Sequence, residues 1–273
     1  ISALKSEGDL IYLAGGVKKT GAEEYAFVFE LDQNGVALNS SSFKGLYGNQ
    51  IVDLDVGGER IYLLGSFENS IELAGKTLSS SGSSAFVLSL KSGLTQEWAS
   101  VLASQGGPLG GETDAFGFPV FLARFKDNSI IGETALNLIS AGQGDLLLAK
   151  LNKDDGSFLW HKQLGGVGDE NASDLKTDLH GKILTLVNTD RPFTADGLDS
   201  GEGSLFLATV ESVQKPFFTG GVDLNLTKGR SFYREINATA PLGFAQMQLL
   251  GAPPWVYLKD DRNGSGVIGG IVH

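Results

Sequence analysis

The chain has no cysteine, which removes disulfides, thiolate metal sites and a cysteine nucleophile from consideration. Histidine is nearly absent as well. His161, His180 and His273 are the only three, and none stands in an H-x-x-x-H or H-E-x-x-H spacing, so a helical zinc site is excluded. Positive charge is scarce: 21 Lys and Arg face 32 Asp and Glu, for a net charge of −11. Nucleic acid and anionic membrane surfaces both demand clustered basic residues, so neither is an expected partner. No apolar run approaches the roughly 20 residues that span a bilayer, and no membrane insertion is expected. No G-x-S-x-G elbow and no G-x-x-x-x-G-K-[ST] loop occurs. The first residues, ISALKSEGD, carry neither an initiator Met nor a signal peptide, so the chain reads as a mature or excised piece of something longer.

Glycine, by contrast, is abundant: 38 residues without a Gly-X-Y period, spread among short apolar runs. That distribution predicts many tight turns between strands. The apolar runs recur. YAFVFEL (25–31), SAFVLSL (84–90), DLLLAKL (145–151) and SLFLATV (204–210) end on Leu31, Leu90, Leu151 and Val210, at intervals of 59, 61 and 59 residues. A second motif, GDLIYLAG (8–15) and GERIYLLG (58–65), has weaker versions at DNSIIGET (127–134) and GKILTLVN (181–188). A third run covers 35–43, 94–102 and 156–164, and a fourth covers 51–56 and 172–179. Each is rich in β-branched and aromatic residues and bounded by turn signals, so each repeat of roughly 60 residues holds about four short strands. A four-stranded antiparallel unit repeated in tandem is the signature of a β-propeller blade, and such units stack to bury faces they cannot bury alone. Asn34-Gly35, Asp155-Gly156 and His180-Gly181 are expected at hairpin turns. Trp160 matches the register of Trp98, which predicts a place between sheets, while His161 is expected on the opposite, solvated face.

One copy carries a family resemblance. Gly144-Asp145 leads an apolar strand; Asp155-Gly156, Trp160, Gly165-Gly166 with Gly168-Asp169, and Asp178 with Gly181 follow. In these residues the segment resembles an SBBP-type bacterial propeller repeat. The resemblance spans about 8–211 and is looser in the 25–83 and 84–143 copies. In the latter the corner reads as stretched over 105–121. It implies an extracytoplasmic, non-catalytic scaffold. Three full repeats flanked by half-repeats at 1–24 and 203–211 fit either a four-bladed ring or part of a larger one.

The rhythm stops at Lys215-Pro216, which sets the expected domains at 1–212 and 213–273. The second reads as alternating strands divided by turns, the pattern of a β-sandwich. Pro216-Phe217-Phe218, Gly229 with Phe232-Tyr233, Leu249 with Pro253-Pro254-Trp255-Val256, and Gly264 through Gly270 resemble the Ig/cadherin-like domains of bacterial surface proteins. Where that family often has an acidic pair usable for calcium, this chain reads Ala238-Thr239-Ala240-Pro241-Leu242, and it ends before the family's final strand, so an incomplete sandwich is expected.

Candidate sites are few. Asp260, Asp261 and Asn263 form a turn with oxygen ligands suited to calcium, without the EF-hand spacing. Asn39, Asn171, Asn225, Asn237 and Asn263 head N-x-[ST] sequons, glycan sites in a eukaryotic secretory pathway. Asp53 and Asp55 are alternate residues on one strand and could face one cleft, as a glycosidase requires. The sum of these observations is a non-catalytic structural or adhesive segment of an extracellular or cell-surface protein, without a cofactor. Its expected partners are other protein modules, neighbouring subunits or glycans. A carbohydrate-binding or glycan-processing propeller is the first rival, and a quinone-cofactor propeller the second.

Overall fold

The computed structural model describes residues 1–18, 24–45, 50–80, 82–114, 117–131, 136–178, 182–191, 194–195, 198–199, 205–211, 217–219, 231–239, 256–260 and 265–271. It is all-β, with one short 3-10 turn at Ser92–Leu94. The chain divides into two compact units, Ile1–Val210 and Glu211–His273.

The first unit contains four successive antiparallel sheets. Sheet I holds β1 (Ala3–Glu7), β2 (Leu10–Lys18), β3 (Glu24–Asp32) and β4 (Ala37–Gly45) in order. Sheet II holds β5 (Gln50–Gly57) and β6 (Arg60–Phe67), then, past a hairpin of β7 (Ser70–Leu73) and β8 (Lys76–Ser79), β9 (Ser84–Lys91) and β10 (Thr95–Ser104). Sheet III repeats the plan with β11 (Gly106–Thr113), β12 (Pro119–Phe125), a hairpin of β13 (Asn128–Ile131) and β14 (Leu136–Ile139), then β15 (Asp145–Leu151) and β16 (Phe158–Leu164). Sheet IV has β17 (Glu170–Thr177), β18 (Lys182–Thr189), a hairpin of β19 (Thr194–Ala195) and β20 (Leu198–Asp199), and β21 (Leu205–Glu211). The β7–β8 hairpin adds to the edge of sheet I through Gly45 and Ile71.

The four sequence anchors all fall on the third strand of a sheet: Leu31 on β3, Leu90 on β9, Leu151 on β15 and Val210 on β21. Two expectations are corrected. The run at 127–134 is not a second strand; Asn128–Ile131 is one arm of an inserted hairpin, and β12 takes the second place. The supposed stretched corner at 105–121 is β11 and the start of β12. Gly111 serves close packing: a Cβ there would meet the Phe121 ring at 2.7 Å. The sheets are also offset from the repeat as drawn from the anchors, since the fourth run of each repeat becomes the first strand of the next sheet.

Alternation sends successive residues of a strand to opposite faces. Between sheets I and II lie Tyr12, Ala14, Ala26, Val28 and Phe43 on one side and Ile61, Leu63, Phe67, Phe86, Leu88 and Leu90 on the other. The opposite residues of sheet II, Tyr62, Leu64, Ala85, Val87, Trp98 and Leu102, meet Phe121, Ala123, Phe125, Leu147, Ala149 and Leu151 of sheet III. Val120, Leu122, Leu146, Leu148 and Leu164 then meet Ala172, Leu175, Ile183 and Val187 of sheet IV. Sheets II and III are thus buried on both faces, which is why β9 and β15 read as nearly continuous apolar runs, broken only by Ser89 and Lys150 between their first and last residues. Each fully buried Leu or Phe contributes about 1.5–3 kcal/mol.

Turns hold the strands in register. Asp32, Asp114 and Asp178 each accept, through a side-chain oxygen, the backbone N–H four residues on (Val36, Phe118 and Lys182). Gly35, Gly117 and Gly156 have φ of 79°, 78° and 74°, a conformation that suits glycine. Trp98 lies between sheets, its indole N–H donating to the Lys153 carbonyl at 2.8 Å and its ring packed on Gly156. Trp160 is half-buried against the third apolar layer, and His161 is exposed.

The second unit holds β22 (Phe217–Thr219), β23 (Ser231–Thr239), β24 (Val256–Asp260) and β25 (Ser265–Ile271) as one antiparallel sheet in the order β22-β23-β25-β24.

Candidate functional site

Charged side chains gather along the first strands of the four sheets. β5 runs against β1 on one side and β11 on the other, and β17 runs against β11. Lys5 on β1 makes an ion pair with Asp55 on β5. Asp53 accepts the Gly111 N–H at 2.9 Å, and Asp55 accepts both the N–H and the hydroxyl of Thr113, at 2.6 and 2.7 Å. Lys176 on β17 approaches Glu112 at 3.2 Å, and the Thr177 hydroxyl donates to the Thr113 carbonyl at 2.9 Å. The polar side chains therefore tie each sheet to the next.

Asp53 and Asp55 do share a direction, but one oxygen of each accepts bonds from β11, while the others face the Leu54 N–H and Lys5. Among the described residues, no space large enough for a water molecule opens between Asp53, Asp55, Glu112, Thr113 and Phe121. A sugar cannot enter there.

Burial pushes the Asp53 carboxyl up, and the charge of Asp55 adds to this against the Gly111 and Leu54 N–H bonds. Burial also pushes Glu170 up. The folded protein therefore binds these protons more tightly than the unfolded chain. Their stabilising contribution is complete below the ordinary carboxylate value and is lost as pH rises through the raised value. Asp53→Asn is expected to shrink the stability difference that wild type shows between about pH 4 and pH 7, with the gain appearing on the neutral side. Urea unfolding at both pH values checks this; an unchanged difference would show that Asp53 is not held as described.

A second group is wholly interior. Lys150 on β15 meets Asp114 at 2.5 Å, with side-chain exposures of 1% and 0%. The Lys150 ammonium sits 5.1 Å from the Phe118 ring centre. Burial lowers the Lys150 pKa, and the bond to Asp114 opposes that. Asp114 also fixes the turn into β12 by accepting the Phe118 N–H at 3.0 Å. A buried lysine of this kind is a known source of nucleophiles, but this one is fully enclosed and occupied by a carboxylate. Its signal in the sequence was a single Lys inside the apolar run Asp145–Leu151.

The Gly-Gly-x-Gly-Asp corner is equally structural. Glu170 accepts the Gly166 N–H at 3.2 Å and the Thr189 hydroxyl at 2.9 Å, and its own N–H donates to the Gly144 carbonyl at 2.9 Å. Arg124 pairs with Asp169 and donates to the Glu170 carbonyl at 3.0 Å.

A groove of about 700 Å³ has a lining that includes Gln105, Pro108, Leu109, Arg124, Lys126 and Asn171. Its described lining carries no aromatic ring on which a sugar could stack.

The sites expected from the sequence are dispersed. Asn39 is exposed on β4, and its amide donates to Glu30 at 2.9 Å. Asn171 is exposed beside the groove, with its side-chain oxygen accepting the Ala172 N–H. Asn237 lies on β23 in register with Thr219. Asp260 ends β24 opposite Gly266, while Asp261, Asn263 and Asn225 lie outside the described residues, as do His180 and His273. No group of three or more His, Asp or Glu is arranged for a metal ion among the described residues. No helix among them is long and apolar enough to cross a membrane, which says nothing about strands.

Compared with known protein families the chain matches none, and a search among curated proteins gives no significant match.

Proposed function

We propose that the chain is a non-catalytic scaffold segment of a large extracellular or cell-surface protein. In this reading, propeller-type blades of the SBBP kind over 1–212 are followed by an Ig/cadherin-like domain over 213–273. Its work is to hold surfaces at fixed spacing for contact with other protein modules. The observation that carries the proposal is the double burial of sheets II and III, with the first-strand carboxylates spent on bonds between sheets. Carboxylates arranged for catalysis would instead face open solvent or a cleft.

A scaffold must be rigid. Because the chain lacks cysteine, Ser40→Cys on sheet I and Asn188→Cys on sheet IV, both at exposed positions, can carry spin labels without background. Pulsed electron–electron resonance is expected to give one narrow distance distribution, and a broad one would contradict the proposal. The carbohydrate-binding rival is tested on a glycan array. Saturable binding that is lost in Lys126→Ala, with the fold intact, would replace the scaffold reading.

A further inference from the structure

We propose that the groove walled by sheets II, III and IV docks an extended acidic peptide segment of a partner protein; this rests on the scaffold reading and names the chemistry of the module it would hold.

The groove is bounded by Gly82 on the way into β9, by Gly106 and Gly107 of β11, by Arg124 and Lys126 at the end of β12, and by Asn171 of β17. Its walls come from three successive sheets, not from either end of the stack.

Charge selects the ligand. The ionisable side chains of the described lining are both basic, on a chain of net charge −11. Lys126 is exposed, and its ammonium has no carboxylate partner among the described residues, whereas Lys5, Lys91, Lys150 and Lys176 each pair with one. Arg124 is fixed in place. Its Nε donates to the Glu170 carbonyl at 3.0 Å and its Nη2 pairs with Asp169. The guanidinium lies so close to Gly144 that a Cβ there would meet Nη2 at 2.6 Å. Its Nη1 has no partner among the described residues. Asp169 offsets one positive charge; the other remains, beside donors already held in position for a carboxylate.

Shape selects a peptide. Main chain forms part of the wall: the Gly106 N–H donates to the Ser83 carbonyl at 2.9 Å and ties the lead into β9 to β11. A Cβ built on Gly82 or Gly107 would find no atom within 4 Å, so a second chain has room to lie against both. The volume is far beyond a single inorganic anion and lies in the range of ligand clefts. The lining has no aromatic ring for a sugar, and two cations are too few for a nucleic acid.

Fluorescence anisotropy of labelled hexaglutamate with the whole chain, at pH 7 and low ionic strength, tests this. The protein's overall charge repels the probe, so saturable binding reports a local basic site. Saturation is expected below about 1 mM, with none for hexaglutamine. Lys126→Glu reverses the unpaired charge. Gly107→Glu, on ordinary backbone with open space, puts a carboxylate into the groove. Each should weaken binding by about tenfold. Lys182→Glu, exposed on β18, makes the same change in net charge and should bind as wild type does. Urea midpoints check that each variant is folded, and Lys126→Glu decides alone if Gly107→Glu is not. Four results would overturn the proposal: no saturable binding by wild type, wild-type binding by folded Lys126→Glu, an equal loss in Lys182→Glu, or tighter binding of oligogalacturonate than of hexaglutamate. Absent binding with one narrow spin-label distance would leave the scaffold reading standing, whereas a broad distance would remove that reading whatever the probe does.

Discussion

Replacing Lys150 by Met is expected to destabilise the first unit by about 3–5 kcal/mol, as breaking one partner of a buried ion pair does. The substitution keeps the volume and removes the charge, leaving the Asp114 carboxylate enclosed without its cation. The carboxylate cannot turn to solvent, because its other oxygen is fixed by the Phe118 N–H in the turn that starts β12. The double change Lys150→Met with Asp114→Asn removes both charges and keeps an oxygen for the turn. It should recover most of the loss, since neutral replacement of a buried pair is often close to neutral in stability. Urea unfolding followed by tryptophan fluorescence measures both. A loss below about 1 kcal/mol for the single variant would mean that the pair is solvated.

The second large effect separates two phenylalanines in matched positions. Phe86→Ala, in the layer between sheets I and II, is expected to cost about 3–5 kcal/mol through lost burial and the cavity left behind. Phe27→Ala, the same position one repeat earlier, should cost about 1 kcal/mol in the isolated chain, because its face lacks a covering sheet among the described residues. Equal losses at the two positions would contradict the stacking order.

Much of this was legible in the sequence because burial on both faces leaves a continuous mark. Leu90 and Leu151 stand out because a third strand buried between two sheets is mostly apolar on both faces. The glycine turns were legible for a similar reason: Gly35 and Gly156 take a backbone conformation that few other residues adopt. The inserted hairpins were not. Asn128–Ile131 is led in by Asp127 and looks like any short strand, and only the pairing of β12 with β15 shows that it is an insertion. β11 was hidden by its own composition, four glycines and a proline that read as a corner. The partners of Asp53 and Asp55 were beyond reach, because Gly111 and Thr113 stand 58 residues away and belong to a different sheet. The charge of Lys150 could be seen in the sequence, but its neutralisation by Asp114 could not.

The central claim is that successive repeats stack face to face, each layer drawing residues from two sheets. Methyl–methyl nuclear Overhauser effects in a chain labelled at Ile, Leu and Val test it most directly. Cross-peaks are predicted between Val28 and Leu63, between Val87 and Leu147, and between Leu122 and Ile183, one set for each layer. Cross-peaks confined to residues of the same sheet would contradict it.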